Sequence, residues 1–410
     1  MEPNRIVVIG GGFAGLRTAV ELDKRRARLK DRSITLIDPS PAHAYSPLLY
    51  KVATSELEAP TDARGEGLRR GATVSFETCS KPHKRERFSF RRGTVAEIDH
   101  ADRSVILSDG ERIPFDDLVV AIGGEGTTYG IPGVKEHAVP MRTIDDAVRL
   151  RARLHDLFVS YRSPDPFRVV VVGGGPAGVE FAAETARRLR LACDITVLEA
   201  GDDVLSMCSP GIRRFARQRL VDLGVNVRAQ TAVKEVRIHS VLISERTGAV
   251  SEMRADLVMW AAGSKPNSAS KNWGMPVDER GYITIDRSFA VAGMKNVYAL
   301  GDCAAFIQPK TNARVPALAQ AASREAGLVA ENIARHLERK ALTLWNPPEK
   351  WFTIVPLGGP YAVIDLLRAR LRGRLAYFVL KIVYLTYFLS ILPPGLAWSQ
   401  WRAGRTAYRK

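Results

Sequence analysis

The sequence contains nearly the same glycine-rich stretch twice, as IGGGFAGLRTA at residues 9–19 and as VGGGPAGVEFAAE at residues 172–184. Each copy has the spacing G-x-G-x-x-G. Between a strand and a helix, the first glycine allows a sharp turn, the second lets a pyrophosphate approach the backbone, and the third lets the helix pack on the strand. The N-terminus of such a helix offers unpaired N–H groups and a positive dipole end to the phosphates. A single motif of this kind is weak evidence, so the flanking sequence decides its meaning.

Both copies are flanked by the pattern of a β-α-β unit. The first has an apolar run at Arg5–Ile9, a helical pattern from Leu16 to about Leu29 and a strand at Ile34–Ile37. The second follows the run RVVVV and predicts a helix from Val179 to about Leu191 and a strand at Ile195–Leu198. We therefore interpret both stretches as dinucleotide cradles, because two structural glycine turns would not each need this context.

Each unit ends with a carboxylate, Asp38 in the first copy and Glu199 in the second. A carboxylate at this point accepts hydrogen bonds from an adenosine ribose. Because it repels a 2′-phosphate, Glu199 favours NADH over NADPH. Two such sites in one chain indicate a resident redox cofactor and a second nucleotide that exchanges a hydride with it, and spacing alone does not tell which site holds which.

The rest of the chain predicts how the two units are connected. Alternating runs near residues 86–90, 94–98 and 104–107 predict antiparallel hairpins, and residues 118–122 predict a return strand. Strand character returns at Thr284–Leu300, and Pro316 is predicted to open a helix that reaches about His336. The simplest arrangement is a first nucleotide domain at residues 1–140 and 270–345, a second inserted at 141–269, and a tail at 346–410.

Composition narrows the functional classes. A hydrophobic content of 46% with 25% charged residues is ordinary for a folded protein. The four cysteines are scattered without a C-x-x-C pair, which argues against a disulfide scaffold, a zinc site or a dithiol redox centre. No metal site is predicted, and the start MEPNRIVVIG predicts no signal peptide.

The net charge is +16, with nine Lys or Arg and no Asp or Glu from Leu366 to Lys410. Since aromatic and aliphatic residues separate these cations, anionic lipid is favoured over nucleic acid as their partner.

At this point the sequence resembles the flavoproteins with two dinucleotide-binding domains, and among them the type II NADH dehydrogenases. The resemblance extends over nearly the whole chain. Besides both glycine motifs it rests on YSPLLYKVATSELE (45–58), YGIPGVKEHA (129–138), WAAGSKPN (260–267) and VYALGDC (297–303). Sulfide:quinone reductases and disulfide reductases need paired redox cysteines, which this chain lacks.

The resemblance implies an α/β fold with two Rossmann-like dinucleotide-binding domains, in which an inserted NAD domain splits the FAD domain, followed by a C-terminal amphipathic helical tail that binds a membrane. FAD would occupy the first site and NADH the second. The implied FAD residues are Gly10, Gly12, Ala14, Gly15, Asp38, Pro47, Val95, Ala121, Gly301, Asp302 and Ala319. The implied NADH residues are Gly173, Gly175, Gly178, Glu180, Glu199 and Gly263.

Two residues are candidate catalytic groups. Glu180 follows the last glycine of the second motif and is expected on the first helical turn, where the nicotinamide meets the flavin; the first copy has Arg17 at the same offset. An ordinary dipole-pairing glutamate is the alternative. Gln320 belongs to the family's A-Q-x-A-x-Q-Q motif beside the quinone, which here reads AQAASRE, with Arg324 and Glu325 in place of the later glutamines. That departure leaves the electron acceptor open.

The tail predicts an interfacial helix. The segment 375–392 is eighteen residues long and carries one charged side chain, Lys381. Helical spacing predicts a polar stripe through Arg370, Arg374, Tyr377, Lys381 and Tyr384, beside an apolar stripe through Leu371, Leu375, Phe378, Ile382 and Leu385. Because Lys381 would be costly at mid-bilayer, lying in the interface is favoured over spanning the membrane or docking on the protein itself. Trp398 and Trp401 suit a headgroup belt.

The sequence thus predicts a peripheral, monotopic enzyme on the cytoplasmic face of a membrane, which oxidises NADH through FAD and reduces a quinone without pumping protons. A homodimer is left open. The alternatives are a soluble ferredoxin- or rubredoxin-type reductase and an NADH-sensing flavoprotein.

Overall fold

The computed structural model describes residues 5–30, 32–55, 57, 69–81, 86–189, 192–366 and 370–406. Two parallel sheets organise this part of the chain. In spatial order, the first sheet consists of Val297–Ala299, Asp117–Val120, Arg5–Ile9, Ser33–Asp38 and Ser89–Arg92. The second consists of Ala138–Pro140, Leu257–Trp260, Phe167–Val172, Cys193–Leu198 and Asn226–Arg228. Neighbouring strands run parallel in both sheets, as β-α-β units require.

The strands of the first sheet come from both sides of the second sheet in the sequence. Val297–Ala299 pairs with Asp117–Val120 although some 180 residues separate them, whereas the strands of the second sheet all lie between residues 138 and 260. Ala138–Pro140, which precedes the expected boundary at 140, pairs in the second sheet. The exact boundaries of the domains stay a prediction.

The edge strand Ser89–Arg92 corrects one expectation, since it pairs in parallel with Ser33–Asp38 instead of forming an antiparallel hairpin. An edge strand is covered less completely than a central one, so its sequence alternates as a hairpin strand does. The neighbouring expectation is confirmed, because Val95–Asp99 and Ser104–Leu107 pair antiparallel.

The smaller sheets are antiparallel. Their strands are Ala42–Ala44 with Thr73–Ser75; Val95–Asp99, Ser104–Leu107 and Arg112–Pro114; Gly124–Gly126 with Ser264–Pro266; Thr231–Arg237, Ser240–Glu245 and Val250–Arg254; and Thr353–Pro356, Ala362–Asp365 and Arg370–Gly373.

The helices include the two that follow the glycine motifs, here called the first glycine helix (Phe13–Lys24) and the second glycine helix (Pro176–Leu189). Both begin three residues earlier than expected, so the third glycine of each motif lies inside the first turn. The other α-helices are Leu49–Thr54, Phe76–Ser80, Val134–His137, Ile144–Ser160, Pro210–Asp222, Ala269–Asn272, Ala319–Leu337, Arg374–Ile391 and Pro394–Thr406, and short 3₁₀ turns occupy Arg26–Arg28, Ser46–Leu48 and Gly301–Cys303.

The helix Ala319–Leu337, here called the Gln320 helix, begins three residues after Pro316. The expectation that Pro316 opens it was wrong. Leu318 caps the helix with an extended backbone, at φ −128° and ψ 138°, and Pro316 lies in the preceding loop. The fixed φ of proline suits an extended loop as well as a first helical turn, so it does not set the start of the helix.

The tail differs most from the expectation. It begins with the three-stranded sheet formed by Thr353–Pro356, Ala362–Asp365 and Arg370–Gly373. Arg370 and Leu371, which were expected on the helical stripes, belong to the last of these strands. Gly373 has a φ of 77°, where glycine is favoured, and caps the tail helix, Arg374–Ile391.

One face of the tail helix packs into the main hydrophobic core, through Ala376, Leu380, Tyr384, Phe388 and Ile391. The opposite face exposes Leu375 and Phe378, at 60% and 61% of their surface, together with Ile382 and Leu389. Among the described residues, the tail helix is the one helix that is long and apolar enough to cross a membrane by length and composition. Of its eighteen residues, 28% are buried.

Candidate active site

The two glycine loops have the same geometry. Gly10 and Gly173 have φ of 99° and 109°, angles that side chains rarely adopt. A Cβ on Gly15 would lie 1.8 Å from the carbonyl oxygen of Gly10, and one on Gly178 would lie 2.0 Å from that of Gly173. Each helix therefore touches its strand so closely that the third glycine has no substitute.

The middle glycines differ from these in the way that a pyrophosphate site requires. A Cβ on Gly12 or on Gly175 would meet no atom within 4 Å. Neither position needs glycine for packing, so the open space beside each is available to a ligand that approaches the backbone. The residues present fit a dinucleotide at both loops.

Asp38 and Glu199 hold their loops in the same manner. Asp38 accepts hydrogen bonds from the N–H groups of Gly11 (2.6 Å) and Ser40 (2.7 Å). Glu199 accepts them from the N–H groups of Gly174 (2.6 Å) and Gly201 (2.7 Å). Sequence reasoning gave these carboxylates only the ribose; in the structure they also organise the loops.

A cavity lies beside each carboxylate. The first, of about 320 Å³, is lined by Gly10, Asp38 and Val95 among others. The second, of about 370 Å³, is lined by Gly173, Gly175, Glu199 and Gly263 among others. Gly263 has a φ of 79°, and a Cβ there would lie 2.5 Å from the hydroxyl oxygen of Tyr129, which shares the cavity wall.

Residues distant in sequence close around the first loop. Gly301 has a φ of 74°, and a Cβ there would lie 3.1 Å from the Cβ of Ala14. A Cβ on Gly10 would lie 2.4 Å from the carbonyl oxygen of Ala121. The fold therefore brings Ala14, Ala121 and the turn Gly301–Cys303 together around the first glycine loop. Burial raises the pKa of Asp302, and the charge of Arg142 opposes this rise.

Glu180 is the fifth residue of the second glycine helix, so it lies beyond the first turn on which it was expected. Its side chain is partly exposed, yet burial raises its pKa to about 8. The negative charge of Glu180 in turn contributes to raising the pKa values of Tyr45 and Tyr384, after burial. Pairing with the helix dipole is therefore not its main interaction, because the dipole acts within the first turn.

Arg17, the counterpart of Glu180 in the first copy, has a different use. Its guanidinium donates to the carbonyl of Ser390 at 2.9 Å and pairs with Glu21 at 2.8 Å. Arg87 donates to the carbonyl of Ile391 at 3.0 Å. Two cations thus cap the C-terminus of the tail helix, where its dipole favours positive charge.

The motif AQAASRE divides between the interior and the surface. The Nε2 of Gln320 donates to the carbonyl of Phe352 at 2.7 Å, whereas its Oε1 is buried and has no hydrogen-bond partner among the described residues. Arg324 is exposed, with its guanidinium 5.3 Å from the centre of the Trp351 ring. Glu325 is buried and accepts a hydrogen bond from the N–H of Gly301 at 2.8 Å. Of the two departures from the family motif, only Glu325 therefore faces the interior. Ala319 is the first residue of this helix.

The tail helix contributes to the site through an aromatic cluster that sequence reasoning missed. Tyr45 stacks on Tyr387 with ring centres 4.8 Å apart and meets Tyr384 edge-on at 5.4 Å. The hydroxyl of Tyr384 donates to the carbonyl of Pro47 at 3.3 Å. Expecting Tyr384 on a stripe that faces lipid headgroups was therefore wrong. The separation of more than 330 residues gave no sequence signal, although the spacing of Leu380, Tyr384 and Phe388 marks one helical face.

A histidine links this cluster to the first glycine loop. Nδ1 of His43 lies 2.9 Å from the carbonyl oxygen of Gly11, and Nε2 lies 2.7 Å from the hydroxyl of Tyr387. Burial lowers the pKa of His43 to about 4, so the ring is neutral near pH 7. Since a carbonyl can only accept, Nδ1 carries the proton and the Tyr387 hydroxyl donates to Nε2.

Two glycine cradles on parallel sheets, each with an acidic residue at the end of its second strand, define a protein with two dinucleotide sites. The model of the pyridine nucleotide-disulphide oxidoreductase family matches residues 4–326, and the chain belongs to this family. All four cysteines are buried and unpaired, and burial raises the pKa of the thiols of Cys79, Cys193 and Cys303 to about 12. The dithiol chemistry in the family's name therefore finds no cysteine pair here.

Individual relatives narrow the comparison. The chain is 28% identical to demethylphylloquinone reductase NdbB of Synechocystis sp., over 96% of this chain and 95% of the relative. It is 26% identical to the type II NADH:quinone oxidoreductase of Haemophilus influenzae, over 92% of each. The solved structure of NDH2 from Plasmodium falciparum in complex with NADH superposes with a TM-score of 0.84 at 21% identity, over 99% of this chain and 98% of that chain. The expected fold class and the resemblance to type II NADH dehydrogenases are confirmed.

Proposed function

We propose that this chain is an FAD-dependent NADH:quinone oxidoreductase of the type II class, which does not pump protons. The duplicated cradle carries the proposal, because a chain that binds two dinucleotides can pass a hydride from one to the other. The relatives support quinone as the acceptor, since their names describe quinone reductases. The likeness of fold to NDH2, which was solved in complex with NADH, agrees with the proposal that this chain binds NADH.

FAD is assigned to the first cradle and NADH to the second. The first loop is held by the turn at Gly301 and, through His43, by Tyr387 of the tail helix. Support of the loop by distant parts of the chain suits a resident cofactor, and the resemblance to type II NADH dehydrogenases implies FAD at this site. Glu199 at the second cradle supports NADH over NADPH.

When bound, FAD supplies the chemistry, accepting a hydride from NADH and passing electrons to quinone. Glu180, as a carboxylate, orients the nicotinamide amide and stabilises the positive charge that develops on the nicotinamide. Asp302 would hold FAD by accepting a hydrogen bond from its ribityl chain, and Gln320 would take part beside the quinone.

The tail helix is proposed to lie in the membrane interface, as a peripheral anchor on the cytoplasmic face. Its exposed side carries Leu375, Phe378, Ile382 and Leu389, and no acidic residue follows position 365. Apolar side chains can enter the lipid while the surrounding cations pair with anionic headgroups. The homodimer stays a prediction.

The test is NADH oxidation by the flavin-loaded protein with a short-chain quinone, together with binding to vesicles that contain anionic lipid. The double variant Phe378→Ser/Leu389→Ser should lose at least about tenfold in vesicle affinity, because each apolar side chain that enters lipid contributes roughly 1.5–3 kcal/mol when fully buried. Turnover of the short-chain quinone should be unchanged. Ile238→Ser, at a site 70% exposed in the second domain, is the control. Deleting the residues after Leu366 is a poorer test, since the tail helix belongs to the core.

Absence of quinone turnover, with rapid transfer to an iron–sulfur protein, would instead support a soluble reductase. Equal vesicle binding by the double variant and the parent would reject the tail as the anchor.

A further inference from the structure

Glu325 is a buried carboxylate at the edge of the first cradle. Its side chain is 5% exposed, and its Oε2 accepts the N–H of Gly301 at 2.8 Å. Gly301 in turn lies against Ala14 of the first glycine motif, where an added Cβ would stand 3.1 Å from that of Ala14. One hydrogen bond therefore separates Glu325 from the loop that is assigned to FAD.

The carboxylate also borders a small cavity. Its walls include Asp302, Pro316 and Ala321, and its volume of about 20 Å³ is enough for one water molecule. Among the described residues, none forms a hydrogen bond with the other oxygen, Oε1. A water in this cavity could therefore bring a proton to Oε1 while Oε2 keeps its bond to Gly301.

The charges around Glu325 are mostly engaged elsewhere. Asp302, on the adjoining turn, repels its negative charge, and Arg142 acts on Asp302. Across the cavity, the guanidinium of Arg314 lies 3.7 Å from the centre of the Tyr282 ring. The first glycine helix packs along the Gln320 helix. Apart from Glu325, the titratable and charged groups of these two helices are ion-paired or exposed: Arg17, Glu21, Asp23, Lys24, Arg324, Glu331, Arg335 and His336.

Because its cation neighbours are engaged, Glu325 is poised to exchange a proton near neutrality. Burial raises its pKa to about 7, whereas the bond from Gly301 opposes this rise and Asp302 adds to it. Glutamine, which the related motif has at this position, has no proton to exchange.

Resting on the proposed function, we propose that Glu325 takes up one proton from solvent when the flavin bound at the first cradle is reduced, and releases it when the flavin is reoxidised. A hydride adds two electrons and one proton to the flavin, and hence one negative charge. That charge raises the proton affinity of a neighbouring carboxylate, so Oε1 gains a proton from water. When the electrons and the flavin proton leave for a quinone, this proton returns to solvent or supplies the second proton of the quinol.

The pH dependence of this proton uptake follows from the protonation state of Glu325 before the flavin is reduced. Below about pH 6, Glu325 is already protonated before reduction and takes up nothing. Above about pH 8, it is mostly ionised before reduction and gains a proton during it. For a two-electron couple, each further proton taken up steepens the fall of the midpoint potential with pH by about 30 mV per pH unit.

The experiment is an anaerobic spectroelectrochemical titration of the flavin in the purified holoprotein between pH 5.5 and 9, with neither NADH nor quinone present. In the parent protein, the fall of the flavin midpoint potential with pH is expected to steepen by about 30 mV per pH unit above pH 7. In Glu325→Gln, the midpoint potential should fall with one slope over the whole range. Glu252→Gln is the control, because this carboxylate is exposed in the second domain. A pH-indicator dye counts the protons taken up per two electrons in the parent, which tests the proposal even if Glu325→Gln fails to fold.

The role of Glu325 would be overturned if the midpoint potential of the parent fell with one slope and no additional proton were taken up above pH 7. It would also be overturned if the midpoint potential of Glu325→Gln steepened with pH as in the parent. Protein that retains NADH:quinone turnover in either case leaves the proposed function standing. Protein that binds no flavin would overturn both.

Discussion

Glu180 provides the most direct test of the proposed chemistry, through the pH dependence of flavin reduction by NADH. Burial raises the pKa of this carboxyl to about 8, so its charge changes within the range where the enzyme can be assayed. Stabilising a positive nicotinamide requires the ionised form. We therefore expect the rate constant of flavin reduction to rise with pH through about 8, and Glu180→Gln to remove this rise.

The magnitude follows from the pKa. With a pKa of about 8, about a tenth of the carboxyl groups are ionised at pH 7 and about nine tenths at pH 9, so the rate constant should increase about tenfold between them. Glutamine stands in for the protonated state, so the variant should stay at or below the pH 7 rate of the parent at every pH.

The assay is anaerobic stopped-flow mixing with saturating NADH, followed by the bleaching of flavin absorbance. Glu184→Gln is a matched control on the same helix, one turn further. The pKa of Glu184 is lowered by its bonds to Arg187 and Gly359 despite burial, so this carboxyl stays ionised and its replacement should preserve the tenfold rise. A parent rate that is flat or falls from pH 7 to 9, or a Glu180→Gln variant that rises like the parent, would refute the reasoning.

Three further outcomes are expected. Gly12→Ala should fold normally but lose FAD, whereas Gly175→Ala should retain FAD and raise the KM for NADH at least tenfold, because each added methyl group enters the open space where a pyrophosphate would lie. Flavin content and the KM for NADH are the measurements, and the opposite pair of effects would reverse the assignment of FAD and NADH to the two sites. Tyr387→Phe leaves the buried acceptor of His43 unpaired, which costs about 1–3 kcal/mol, so FAD should dissociate more readily in a fluorescence titration; unchanged affinity would show that this link does not support the site. Glu199→Gln should raise the ratio of kcat/KM for NADPH to that for NADH at least tenfold, and an unchanged ratio would remove Glu199 from nucleotide selection.

Much of the fold could be read from local sequence. The strands Arg5–Ile9 and Phe167–Val172 and the helices after them were predicted to within a few residues, because a buried parallel strand is continuously apolar and a glycine motif fixes the turn. The errors arose where local pattern is ambiguous. The edge strand Ser89–Arg92 looks like a hairpin strand, and a proline such as Pro316 suits a loop as well as a helix start.

The candidate site divides in the same way. The glycines and the carboxylates Asp38 and Glu199 were identified because their spacing is set by a contiguous β-α-β unit. His43, Tyr45 and Tyr387 were missed because their contacts join segments that lie more than 330 residues apart. Arg324 and Glu325 are adjacent, and only their positions on the folded helix separate an exposed cation from a buried acid.

By itself, then, the sequence determined that the chain has two dinucleotide cradles, which acid closes each of them, and that the tail is apolar and basic. Only the tertiary structure decided that the tail helix also supports the first glycine loop through His43, and that Glu325 lies beside the loop assigned to the flavin. The physical reason is the range of the interactions. A turn and its helix are specified by residues within some thirty positions of each other, whereas burial and the pKa values that it raises depend on which distant surfaces meet.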